Sequence, residues 1–137
     1  MSSTIIQAIN KENADNILSG RKTLEFRKRA PSGELPYTVY LYEMKNSGGS
    51  GLVVGLYTCG GKIRLKYPPS LDKPSTEKLL MNYADRGCLS PDELLAYVDC
   101  GEIIAWLISN PIRFNTPRTL DMFGLKKPPQ SWQYLKA

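Results

Sequence analysis

Histidine is missing from all 137 residues. Its absence rules out Ser-His-Asp and Cys-His catalysis and every zinc site that needs imidazole. Cysteine is scarce: Cys59, Cys88 and Cys100 are odd in number, widely spaced and free of any C-x-x-C pair. That pattern argues against a disulfide framework or a structural zinc and fits a reducing, cytoplasmic setting. Walker A and G-x-G-x-x-G patterns are also lacking. Gly48, Gly49 and Gly51 follow Asn46-Ser47 and read as a hairpin loop, because no helix follows to receive a phosphate. No apolar run approaches the roughly 20 residues that span a bilayer. Met1-Ser2-Ser3-Thr4 has neither a basic n-region nor an apolar h-region, so no signal peptide is expected. No cofactor, metal or membrane partner is expected. Any catalysis would fall to Lys, Thr, Ser, Tyr, Asp or Glu.

What is present fits one soluble domain over residues 1–137, with 42% hydrophobic and 23% charged residues. The net charge is +5, unevenly spread. Residues 72–102 hold seven of the 13 acids and only three of the 18 basic residues, a local −4, which leaves +9 for the remainder. Arg21, Lys22, Arg27, Lys28 and Arg29 cluster early, and Arg113, Arg118, Lys126 and Lys127 form a second basic group. Brought together, these would make a surface suited to a phosphate backbone.

The pattern along the chain is mainly β. Ile5 to Ile9 reads as a strand. Asn10 reads as the N-cap of a helix over 11–19, which Gly20 stops. A strand over 22–28 follows at once. Residues 37–44 and 52–59 read as a hairpin around the glycine-rich loop, the second strand being mostly apolar and central. Gly60-Gly61 is expected to end it, with a short edge strand over 62–67 and a proline-marked loop beyond. Helices are predicted over 75–86 (Leu79, Leu80 and Tyr83 inward) and from Ser90. In the latter, Ser at N-cap, Pro91 at N1 and Glu93 at N3 form a capping box, and Leu94, Leu95 and Val98 form the apolar side. Ile103 to Ile108 is a buried strand, with Trp106 in the core. Ile112 to Phe114 continues after Pro111, and Trp132 to Leu135 closes the sheet. A last strand returning to the first suits a small closed or nearly closed barrel.

The most informative stretch is Gly20-Arg21-Lys22-Thr23-Leu24-Glu25-Phe26-Arg27. Side chains alternate along a strand, so Leu24 and Phe26 face a core, while Thr23, Glu25 and Arg27 line the other face about 7 Å apart. Lys22 shares the apolar side but sits at the strand mouth, where its stem would swing the ammonium outward. The row reads equally as a ligand-holding face or as a salt-bridged, solvated one.

This segment resembles the G-x-K-x-x-E-x-R signature of the ASCH (activating signal cointegrator homology) family, relatives of the PUA domain. The likeness extends to the helix 11–19 and to Lys126-Lys127-Pro128-Pro129-Gln130-Ser131-Trp132. The resemblance implies an α+β, mainly β fold: a PUA-like pseudo-β-barrel with short flanking helices. It also implies a cleft beside the signature strand that takes RNA or a nucleotide-like ligand, with DNA as an alternative. On that reading Lys22, Arg27 and Lys28 meet phosphates or base-edge acceptors, while Glu25 accepts from amino donors or orients Arg27. Thr23 offers both a donor and an acceptor. Ser131 and Trp132 form an opposing wall, the indole serving either as a stacking surface or as core. Tyr42, on one strand face with Tyr40, borders the cleft or serves only the sheet. The enzymatic alternative is a small hydrolase, an acylated-cytidine amidohydrolase or a ribonuclease, drawing on Lys22, Thr23, Glu25 and Ser131. In the amidohydrolase pattern the nucleophilic threonine lies three residues after the lysine. Here that position is Glu25, and a carboxylate cannot replace an activated hydroxyl.

Overall fold

In a computed structural model the fold is described for residues 2–66, 81–98 and 102–135. Six strands form one curled sheet in the order β2-β5-β4-β3-β1-β6. β1 (Ser2–Ile9) lies parallel to β3 (Glu34–Glu43) and antiparallel to β6 (Trp132–Tyr134). β2 (Leu24–Arg27) is the opposite edge, antiparallel to β5 (Glu102–Arg118). β4 (Val53–Lys66) fills the middle, between β3 and β5. The sheet is a half-barrel, and among the described residues it is accompanied by α1 (Lys11–Leu18), α2, described over residues 81–86, and α3 (Pro91–Val98). Among the described residues, no helix is long and apolar enough to cross a membrane.

Local chemistry accounts for the elements that position the cleft. Asn10 caps α1 as expected, its Oδ1 accepting the Asn13 amide at 2.8 Å. Gly20, at φ 86°, turns the chain out of the helix in a conformation that a Cβ disfavours. The capping box at α3 is reciprocal: Ser90 Oγ accepts from Glu93 N–H at 3.1 Å, and Glu93 Oε1 accepts from Ser90 N–H at 3.0 Å.

The barrel interior holds Ile5, Ile9, Ala14, Ile17, Tyr37, Val39, Leu41, Tyr57 and Trp106. A second cluster joins Leu24 and Phe26 of β2 to Ala84, Leu94, Val98 and Ile103, so the helical hairpin packs on the apolar face of the signature strand. A third, on the outer face of the sheet, contains Ile6, Ala8, Tyr42 and Val53 with Phe114, Leu120 and Phe123 against them. Both faces of β1 are therefore buried.

Two boundaries differ from the sequence pattern. Gly60-Gly61 does not end β4. The strand runs on through a register shift between Cys59 and Lys62, so residues 62–66 are its continuation on β5 rather than a separate edge strand. A bulge absorbs the glycines while both flanks keep their ladder. The signature strand also begins at Leu24 rather than Lys22. The rest of the expected proline loop and helix 75–86, up to residue 80, lies outside the described residues.

Candidate functional site

The two edge strands, β2 and β6, do not pair with each other, and side chains bridge the seam between them. Arg27 leaves β2 and donates from one terminal nitrogen to the Ala8 carbonyl on β1 at 2.9 Å. The other terminal nitrogen donates to Ser131 Oγ, just before β6, at 3.1 Å. Its Nε donates to Glu25 Oε2 at 2.9 Å, and a terminal nitrogen lies 2.8 Å from the same oxygen. Trp106 on β5 meets Trp132 on β6 edge-to-face at 5.6 Å. A barrel that backbone hydrogen bonds leave open is thus closed by a guanidinium and a pair of indoles.

Glu25 binds a second cation on its other oxygen. Lys22 Nζ lies 3.3 Å from Glu25 Oε1 and donates to the Gly87 carbonyl at 2.6 Å. The Lys22 side chain is only 2% exposed, Glu25 7% and Arg27 16%. This corrects the expectation that the Lys22 stem swings its ammonium outward. Residues 20–23 are a turn, not a strand, so strand alternation does not govern Lys22. Its amide donates to the Asn16 carbonyl, its stem folds inward, and its ammonium meets a carboxylate three residues on. Such a buried group holds only while each charge keeps its partners.

Thr23 does not join this constellation. Its amide donates to the Arg86 carbonyl at 2.8 Å, its carbonyl accepts from Ile108, and its hydroxyl accepts from Arg86 Nε at 3.3 Å. It pins the turn after α2 to the start of β2. Gly87 in that turn packs on the Phe26 ring, where a Cβ would collide. Tyr42 does not border the cleft either. It is 4% exposed in the outer-face cluster, because even-numbered residues of β3 face away from the barrel interior that holds Tyr37, Val39 and Leu41.

The charged group opens onto a cleft of about 430 Å³. Lys22, Glu25, Arg27, Lys28, Ser131 and Trp132 all line it, so six of the eight residues proposed from sequence for ligand binding converge there. Asn10, Asn13, Met44, Leu89, Tyr97 and Gln130 also line it and have no signal in the signature. For Tyr97 one faint signal exists: an aromatic residue on α3 that falls off the stripe of Leu94, Leu95 and Val98. Lys28 and Arg29 are exposed on the rim. Among the described residues, four cations against one carboxylate give the lining a net charge of +3. Arg29 stacks over Trp132 at 5.6 Å. Beneath the site, the Tyr57 hydroxyl donates to Gln7 Oε1 at 3.1 Å. Burial first, and then the Glu25 carboxylate, push the Tyr57 phenol well above its ordinary range. Among the described residues no group of His, Cys, Asp or Glu is arranged to hold a metal.

A PUA-like half-barrel with a positively lined cleft at its open seam is the class that this geometry defines. Solved structures share the fold. A crystal structure of ASCH from Zymomonas mobilis superposes with a TM-score of 0.77 at 22% identity, covering 98% of this chain and 88% of that one. A serine-to-alanine mutant of the same protein gives 0.74 at 22% identity, over 98% of this chain and 89% of that one. A tyrosine-to-phenylalanine mutant gives 0.74 at 21%, over 98% and 91%. No protein-family model matches the sequence, and no curated protein matches it. The chain has the ASCH-domain fold.

Proposed function

We propose that the cleft binds RNA, or a ligand resembling one of its nucleotides, with DNA as the competing nucleic acid. The observation that carries this reading is the charge of the cleft. Among the described residues its one carboxylate is already held by Lys22 and Arg27, so Lys28 and Arg29 on the rim stay available for phosphate. A volume of about 430 Å³ lies in the range of small-ligand sites, roughly 300–1,000 Å³. A hydrolytic reading would place Lys22, Glu25 and Ser131 in the same cleft. Ser131 Oγ, however, accepts its bond from Arg27 rather than donating to a base, and Thr23 lies outside. The binding reading is therefore favoured.

Fluorescence anisotropy with short single-stranded RNA and DNA tests it. Log affinity should fall against log salt with a slope of about −0.7 per phosphate contact. Replacing both Lys28 and Arg29 by alanine should flatten the slope by roughly 1.4. Lys45→Met, in the exposed hairpin loop, should change it little. Absence of binding at low salt, or equal losses in the double mutant and the Lys45 control, would refute the cleft as the site.

A further inference from the structure

Among the described residues three aromatic side chains line the cleft; Phe26 is committed to the core, while Trp132 and Tyr97 are in different circumstances. Trp132 is engaged on three sides, by Trp106 at 5.6 Å, Tyr134 at 5.5 Å and the Arg29 guanidinium at 5.6 Å. Tyr97 lines the same cleft from α3 and is 51% exposed. Among the described residues, its ring has no aromatic, cationic or hydrogen-bonding partner. Packing of α3 does not demand it, since Leu94 and Val98 carry the buried side of that helix. A bare ring facing a cationic cleft lacks what aromatic surfaces ordinarily find: a flat apolar partner.

The wall that presents Tyr97 is fixed to the charged site. Lys22 Nζ holds the Gly87 carbonyl at 2.6 Å, and Thr23 and Arg86 bond each other twice across the same turn. Leu89, on the segment between that turn and α3, also lines the cleft. The reciprocal Ser90–Glu93 cap then sets where α3 begins. The helical wall is thereby tied to the strand that carries Glu25 and Arg27. One side of the cleft is apolar and aromatic, through Leu89 and Tyr97, while Lys28 and Arg29 supply positive charge on its rim.

We infer that Tyr97 is the ring-recognising residue of this cleft: a planar base stacks on it while an attached phosphate meets Lys28 and Arg29. The inference rests on the proposed nucleic-acid reading and narrows it to ligands that carry both a flat ring and an anionic group. Stacking tolerates any base, because every base has a π face, so recognition by Tyr97 discriminates ring from no ring rather than one base from another.

The test compares a short oligoadenylate with an abasic ribose-phosphate oligomer of equal length, on the wild-type protein, Tyr97→Ala and Tyr97→Phe. Tyr97 is half exposed, and unchanged melting temperatures would establish that both variants fold. The expected result is that Tyr97→Ala loses about tenfold in affinity for the oligoadenylate and nothing for the abasic oligomer. Tyr97→Phe should bind both as wild type does, since the ring is what acts. If the wild type binds the oligoadenylate and Tyr97→Ala binds it equally well, the assignment of Tyr97 falls while the cleft stands. Equal losses on both oligomers would also overturn it, because the effect would then not depend on a base. If the wild-type protein binds neither oligomer at low salt, the nucleic-acid reading and this inference fail together.

Discussion

Removing the Arg27 guanidinium is the sharpest perturbation the structure offers, because one side chain serves both the charge balance of the cleft and the closure of the barrel. Arg27→Ala deletes the two contacts to Glu25 Oε2, the bond to the Ala8 carbonyl and the bond to Ser131. Breaking a buried ion pair by removing one partner costs about 3–5 kcal/mol when the remaining charge is stranded. Glu25 is not wholly stranded here, since Lys22 stays 3.3 Å from its other oxygen. Arg27 is also 16% exposed, so water can replace part of what is lost. The expected destabilisation is therefore about 2–4 kcal/mol. Glu25→Ala should cost at least as much, because it leaves two buried or half-buried cations without a counter-charge. In the double mutant the losses should not add; a coupling of roughly 1–3 kcal/mol is expected for groups in one network. Urea unfolding followed by Trp106 and Trp132 fluorescence measures all four corners of the cycle. A loss below about 1 kcal/mol for Arg27→Ala, with additive effects in the double mutant, is the behaviour of a solvated surface pair. That result would refute the claim that this side chain closes the seam.

Other expectations follow from the same geometry. Lys22→Met should destabilise the fold by about 2–4 kcal/mol, measured by urea unfolding, because it strips Glu25 of a partner and frees the Gly87 carbonyl that ties down the helical wall. Tyr57 should remain protonated above pH ~10, where exposed tyrosines ionise, as read by phenolate absorbance. Its folded pKa is raised, so the stability it contributes is whole below the unfolded value near 10 and is lost as pH climbs through the folded value. Tyr57→Phe should accordingly show a shallower alkaline loss of stability. Ser90→Ala removes one half of the reciprocal cap on α3 and should lower stability by about 1 kcal/mol in thermal or urea melts.

Local rules sufficed wherever a residue's role depends on near neighbours in the chain. Asn10 and Gly20 bound α1, and Ser90 and Glu93 cap α3, because caps are made within a few residues of themselves. Strand alternation placed Leu24 and Phe26 in a core and Glu25 and Arg27 on one common face. The signature motif therefore marked the charged centre before any tertiary contact was known. Alternation also put Tyr40 and Tyr42 on the same face, but not which face of the sheet the cleft would use.

What tertiary structure decided is everything that depends on distant segments meeting. Lys22 turns inward because the Gly87 carbonyl, 65 residues away, and Glu25 accept its ammonium once the helical turn docks. Thr23 is drawn out of the site by Arg86, 63 residues on. Gly60-Gly61 reads as a stop in isolation, yet a bulge against β5 carries the strand through. Tyr97 becomes a cleft residue only because α3 packs beside β2. The physical reason is common to all four. A side chain's direction at a turn, bulge or helix surface is set by whichever long-range partner satisfies its charge, hydrogen bond or apolar area. The chain's own periodicity fixes direction only inside regular strands and helices.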